Sequence, residues 1–171
     1  GEKGARMPSF EIFKESILRN KACIEQLKNY RIETISEDKL NEILPCLTCL
    51  CFNIQATTRS SKIVSSSKTL AHILPNLVCP IDNLYTLSFF KEGFKKEKIK
   101  TEQQKFQYVI KQMWNFYHTT NIISMNISLN GTFAHSYPKI FDNLINNSLL
   151  KLVSLKLICV KLTKSLVIYL I

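Results

Sequence analysis

Ser65-Ser66-Ser67-Lys68-Thr69-Leu70-Ala71-His72-Ile73-Leu74-Pro75, with Pro80-Ile81-Asp82 shortly after it, is the stretch on which the reading of this chain turns. Its apolar and polar residues predict a short helix from about Ser67 to Leu74, limited by Pro75, whose ring cannot continue a helix. A serine at the start is a natural N-cap, and Asp82 is a natural N-cap for the next helix, which runs through Phe89 and Phe90. The stretch therefore places a lysine, a histidine and an aspartate around one helix and its exit.

On the N-terminal side, residues 53–67 are rich in Ser and Thr and carry Arg59 and Lys62. They read as a loop with one helical turn near Lys62–Val64. Further upstream, Ser36 caps a helix that has Glu37 and Asp38 in its first turn and Leu40, Ile43, Leu44 and Leu47 on its apolar face. Pro45 lies inside that pattern and is a candidate kink. Ser9 caps an earlier helix bearing Phe10, Phe13, Ile17, Ile24 and Leu27. On the C-terminal side, Lys91–Lys100 reads as a solvated connection. Thr101 and Gln104 form a capping box, and the helix they open carries Phe106, Val109, Ile110, Met113 and Phe116 or Tyr117. Residues 119–135 read as a long loop or weak hairpin around Asn130-Gly131, and Pro138 suits the first turn of another helix. Four glycines and five prolines in 171 residues are too few for a sandwich or barrel, which needs frequent turns. The expectation is one all-α domain of six to seven helices over 1–148, with an apolar, lysine-containing tail over 149–171 packed on it.

That tail nearly balances itself as a membrane span. Its apolar residues gain roughly 0.5 kcal/mol each, and each lysine near the centre costs about 3 kcal/mol. Membrane association through it is therefore set below a tail that packs on the domain. The net charge of +10 attracts nucleic acid or anionic lipid. Nineteen of the twenty-three basic residues are lysine, and Ile and Asn are abundant beside them, which is equally the mark of an AT-rich coding sequence. No secretory signal precedes the six cysteines (23, 46, 49, 51, 79 and 159), so they read as reduced thiols of an intracellular, cytoplasmic protein. Cys46, Cys49 and Cys51 lack the second pair that a zinc site requires; Cys46 and Cys49 fit one buried helical face better, and no metal or other cofactor is implied. The cluster Trp114, Phe116, Tyr117 and His118 suits core packing better than base stacking. His135, Tyr137, Lys139 and Asp142 gather near a helix start with no evident role beyond capping.

The pattern Ser67-Lys68-Thr69-Leu70-Ala71-His72-Ile73-Leu74-Pro75 and Pro80-Ile81-Asp82 resembles a signature of uncharacterised microbial proteins. Arg59-Ser60-Ser61-Lys62-Ile63-Val64, Tyr85-Thr86, Phe89-Phe90 and Gly4-Ala5-Arg6-Met7 extend it. The arrangement is similar to the helix-hairpin-helix DNA glycosylase superfamily. That resemblance implies DNA as partner and base-excision chemistry of the glycosylase/lyase kind. It matches Lys68 to a Schiff-base lysine and Asp82 to its electrostatic and proton-transfer partner. Read from the residues themselves, Ser65, Ser66 and Ser67 offer hydroxyls and amides to a phosphate, and the model that follows adds Arg59 and Lys62 as backbone-phosphate contacts, with His72 as a further candidate. Two departures stand against the match: the family hairpin is glycine-rich so that amides can approach a phosphate, whereas Val64-Ser65-Ser66-Ser67 has no glycine, and the gap of fourteen positions from Lys68 to Asp82 is short. The alternative is a non-enzymatic helical interaction module, with Lys68 exposed, His72 packed and Asp82 only a cap. Substrate base and oligomeric state are not legible.

Overall fold

The computed structural model describes residues 6–119 and 136–146. Seven helices run in chain order: α1 (Phe10–Arg19), α2 (Lys21–Leu27), α3 (Glu37–Asn53), α4 (Ile63–Ile73), α5 (Thr86–Phe89), α6 (Lys91–Lys96) and α7 (Glu102–Thr119). A further helical stretch, α8, covers 137–146. No strand occurs among the described residues, so the all-α expectation holds, with one helix more than its upper count. The tail over 149–171, the Asn130-Gly131 turn and His135 lie outside the described residues.

The local signals act where the sequence places them. The Ser9 side chain accepts from Ile12 N, and that of Ser36 from Lys39 N. Gln104 N donates to Thr101 Oγ1 at 3.2 Å while Thr101 N donates to Gln104 Oε1 at 3.0 Å, the reciprocal pair of a capping box. α3 runs unbroken through an exposed Pro45. Its Leu40, Ile43, Leu44, Leu47 and Leu50 are all buried, and that apolar face holds the helix together around the lost donor. α3 is the central element, packing on α2, α4 and α7, while α4 also packs on α7. Leu70 of α4 and Phe106, Val109, Ile110, Met113 and Tyr117 of α7 complete the core.

Two expectations change here. The charge run 91–100 is not merely a solvated connection. Phe90 and Phe94 pack edge-on against Tyr108, with ring centroids 5.6 and 5.3 Å away, and this fixes α6 on α7. Gly93 makes the approach possible, because a Cβ there would overlap the Tyr108 ring. α6 is followed, past its cap at Glu97, by Lys98 in the left-handed region with φ 55°. There Ile99 N donates to Phe94 O and Lys98 N to Lys95 O, the paired bonds of a Schellman motif. The second change concerns cysteine. Cys23 and Cys46 are joined as a disulfide that ties α2 to α3, where the sequence reads thiols. Cys49 is exposed rather than buried beside Cys46, and Cys51 and Cys79 are buried free thiols. Of the Trp114 cluster, Tyr117 is buried, Trp114 and Phe116 pack against the core with Trp114 Nε1 donating to Ile35 O at 2.8 Å, and His118 is exposed and stacks on Trp114. No helix among the described residues is long and apolar enough to cross a membrane.

Candidate functional site

α4 is longer than its sequence suggests, and this relocates the serines. The helix begins at Ile63, with Lys62 at the cap position, so Ser65, Ser66 and Ser67 lie inside it rather than in a loop before it. Ser66 N already donates to Lys62 O at 2.9 Å. Ser66 and Ser67 are fully buried. The Ser67 hydroxyl accepts from Ile81 N at 3.1 Å and lies 3.2 Å from Val64 O and 3.4 Å from Ile81 O. The phosphate contacts expected of Ser66 and Ser67 are therefore corrected: neither side chain reaches solvent, and Ser67 is a tether between α4 and the turn at 80–82. Ser65 is half-buried and internal to the same helix.

The true start of α4 already has an anion. Glu102, from the first turn of α7, accepts through Oε2 from Lys62 N at 2.9 Å and Ile63 N at 3.3 Å, and its Oε1 takes the Ser61 hydroxyl. A carboxylate thus occupies the place where free amides would receive a phosphate. Lys62 sits at this end. It is six residues and about 120° around the helix from Lys68, so the two lysines serve different faces. Lys62 borders a hollow with Ser60, Ser61 and Glu102, whereas Lys68 borders another with His72 and Asp82. Arg59 is exposed just upstream, its backbone N–H bonded to Thr57 Oγ1 at 3.2 Å. The basic group at 59–62 and the Lys68 group do not share one cavity.

Lys68 and Asp82 do meet. Lys68 Nζ lies 3.9 Å from Asp82 Oδ2, with side chains 50% and 30% exposed. At that distance the pair attracts without a hydrogen bond, and an ion pair so exposed is worth at most about 1 kcal/mol. Lys68 lies in the second turn of α4 rather than at its start. Asp82 is held independently: its Oδ1 accepts from Tyr85 N at 2.8 Å and its own N–H donates to Thr86 Oγ1 at 3.3 Å. It caps the turn at 83–85 rather than α5 itself, whose cap position falls on Tyr85, and one carboxylate oxygen is left facing Lys68. His72, one turn after Lys68, is exposed on the same wall rather than packed.

The cavity they border has a volume of about 600 Å³. Ala71, Pro75, Val78, Pro80 and Tyr85 give it apolar surface, and the facing wall comes from α8. That helix is seated by stacking of Phe141 on Phe90, by Phe116, whose ring centroid is 5.4 Å from that of Phe141, and by Tyr117, whose hydroxyl donates to Tyr137 O. It brings Ser136, Lys139, Asp142 and Asn146 to the cavity. Lys139 Nζ donates to Asp142 Oδ2 at 2.6 Å, and the Asp142 side chain is only 8% exposed. Sequence reasoning gathers these residues near a helix start but gives them no part in a site. The i, i+3 spacing of Lys139 and Asp142 was the available signal; their position opposite Lys68 depends on packing between distant segments.

Behind this wall lies Cys79, whose burial pushes its thiol up to about 12, with the nearby Asp142 carboxylate adding to the effect. Burial likewise raises the Tyr117 hydroxyl above its ordinary range. Both side chains stay protonated and belong to the core. Comparison with protein-family models, with curated proteins and with solved structures finds no match to this chain.

Proposed function

We propose that the protein binds DNA and that the cavity between α4 and α8 captures the aldehyde of an opened deoxyribose, in the manner of a glycosylase/lyase. The supporting observation is the meeting of the Lys68 amine and the Asp82 carboxylate at 3.9 Å on the wall of one cavity. An amine nucleophile needs a nearby group to receive its proton and return it to the departing oxygen. In the proposed reaction, Asp82 takes a proton from the Lys68 ammonium and the free amine adds to the aldehyde carbon. A proton passes from nitrogen to the new alkoxide, and Asp82 then protonates the hydroxyl, which leaves as water. A cationic imine remains on Lys68 and Asp82 is again a carboxylate. The net charge of +10 supplies long-range attraction for the strand, and Arg59 and Lys62 are the proposed phosphate contacts.

A second reading, a non-enzymatic helical module, is favoured by the filled start of α4. With Glu102 on its amides and with Ser66 and Ser67 buried, the backbone offers no cradle there. One experiment separates the two. Abasic and undamaged duplexes are titrated across a salt series, and the abasic duplex is then treated with borohydride. The enzymatic reading expects tighter abasic binding, a covalent adduct, and loss of that adduct in Lys68→Ala. Binding with a steep salt slope but no adduct supports the module. Absence of binding to either duplex refutes DNA as the partner.

A further inference from the structure

The cavity holds two amine–carboxylate pairs, and the better-formed one is not the pair that the sequence motif marks. Lys139 Nζ and Asp142 Oδ2 are 2.6 Å apart, at the short edge of charge-assisted hydrogen bonding, whereas Lys68 and Asp82 stand 3.9 Å apart. Asp142 is nearly excluded from solvent while Asp82 is not, and Lys139 is 39% exposed, open enough to reach a ligand. A buried carboxylate held against an amine is placed to exchange a proton without rearrangement. Asn146, on the same wall, carries a buried Oδ1 with no hydrogen-bond partner. A ligand hydroxyl or N–H reaching it would add a bond without breaking one.

We infer that Lys139 is a second carbonyl-capturing amine of this cavity, acting on small free carbonyls rather than on the strand-borne aldehyde assigned to Lys68, with Asp142 as its proton acceptor, and that the ligand class is an aldehyde or ketone bearing a neighbouring hydroxyl. This rests on the cavity being an amine–carboxylate site for carbonyls, but not on DNA being what brings the carbonyl there. Asp142 receives a proton from the Lys139 ammonium, and the amine adds to the carbonyl carbon. After proton transfer to the alkoxide, Asp142 returns its proton to the hydroxyl and water departs. The imine formed carries the original positive charge.

The test uses a small uncharged hydroxyaldehyde, glycolaldehyde, with cyanoborohydride, followed by peptide mapping of the whole protein. The expected result is preferential label on the peptide containing Lys139, with about a ten-fold fall at that peptide in Lys139→Arg and retention of most label in Lys68→Arg. Lys139→Arg keeps the charge beside Asp142, so its thermal unfolding should match wild type and loss of label would not reflect unfolding. Label on Lys68 alone, label spread evenly over surface lysines, or undiminished total label in Lys139→Arg would overturn the inference. Failure to bind any duplex while Lys139 is still singled out would remove the DNA reading and leave this one standing.

Discussion

Two adjacent serines in α4 should respond to the same substitution with opposite sign. Ser66 and Ser67 are both fully buried, so any reading based on burial alone treats them alike. Their hydroxyls differ. Ser67 Oγ accepts from Ile81 N at 3.1 Å, and Ile81 is itself buried, so Ser67→Ala strands a backbone donor with no water to replace the lost partner. An unpaired buried donor costs about 1–3 kcal/mol, and the gain in helix propensity from Ser to Ala returns roughly 0.5 kcal/mol. Ser66 Oγ has no hydrogen-bond partner. Ser66→Ala removes an unsatisfied group and gains the same propensity, for a net stabilisation of about 1 kcal/mol after allowing for the small void. The two variants should therefore differ by roughly 2–3 kcal/mol, or about 4–12 °C in Tm for a chain of this size. Urea unfolding followed by circular dichroism measures both. Because the Ser67 tether also joins the elements that carry Lys68 and Asp82, Ser67→Ala should weaken any adduct at Lys68 as well. Equal destabilisation by the two substitutions would refute the assignment of the hydroxyls. A change in the salt slope of DNA binding with no change in stability would return the serines to phosphate contact.

Three further outcomes follow from other parts of the structure. Glu102→Ala removes the acceptor for two amides at the start of α4 and should cost about 1–2 kcal/mol in urea unfolding, with Glu102→Gln costing less; an unchanged midpoint would show that α4 is not capped from α7. Burial raises Cys51 and Cys79 from 9.0 to about 12, so the unfolded chain releases these protons first as pH climbs. Their contribution is complete below pH 9 and declines between about pH 9 and 12, by up to about 1.4 kcal/mol per pH unit for each thiol, and the gap between urea midpoints at pH 8 and 10 should narrow by the share of one thiol when either cysteine is replaced by alanine. The Cys23–Cys46 bond spans 23 positions, a closure worth about 3 kcal/mol on chain-entropy grounds; dithiothreitol should lower the Tm accordingly, and a non-reduced digest that lacks the linked peptide would refute the pairing.

What could be read in advance was local. The caps at Ser9, Ser36 and Thr101, and the apolar faces of α3 and α7, depend on residues three or four apart, and they appear where the sequence puts them. The start of α4 lies earlier than the sequence suggests because serine is a strong cap and a weak helix former, so three in a row read as a loop. The deciding facts are distant in sequence: Glu102 supplies the cap from α7, and the small Ser66 and Ser67 lie on the buried side with Ile63 and Leu70. The disulfide was missed for the same reason, since a pairing between α2 and α3 leaves no mark in either segment alone. For the site, the meeting of Lys68 with Asp82 followed from a helix, a proline and a cap in short succession. The arrival of Lys139 and Asp142 on the facing wall required α8 to dock on Phe90 and Tyr117, which no spacing within 136–146 encodes.

The charge arrangement narrows what the cavity can accept. Among the described residues two lysines and two aspartates line it, and the formal charges of these four cancel even though the chain as a whole carries +10. A phosphate held inside would have to compete with Asp82 and Asp142 for both ammonium groups and would bring its own charge close to two carboxylates. A neutral carbonyl or hydroxyl meets no such repulsion, and the apolar surface of Ala71, Pro75, Val78 and Pro80 suits an uncharged ring or sugar carbon. The proposed reading therefore assigns phosphates to the exterior at Arg59 and Lys62 and the reacting group to the space between α4 and α8. On this division, raising salt should weaken binding of a charged strand steeply while leaving capture of a small neutral aldehyde almost unchanged. If the two declined together with salt, the cavity would have to be an anion site and the carbonyl chemistry assigned to its lysines would lose its physical basis.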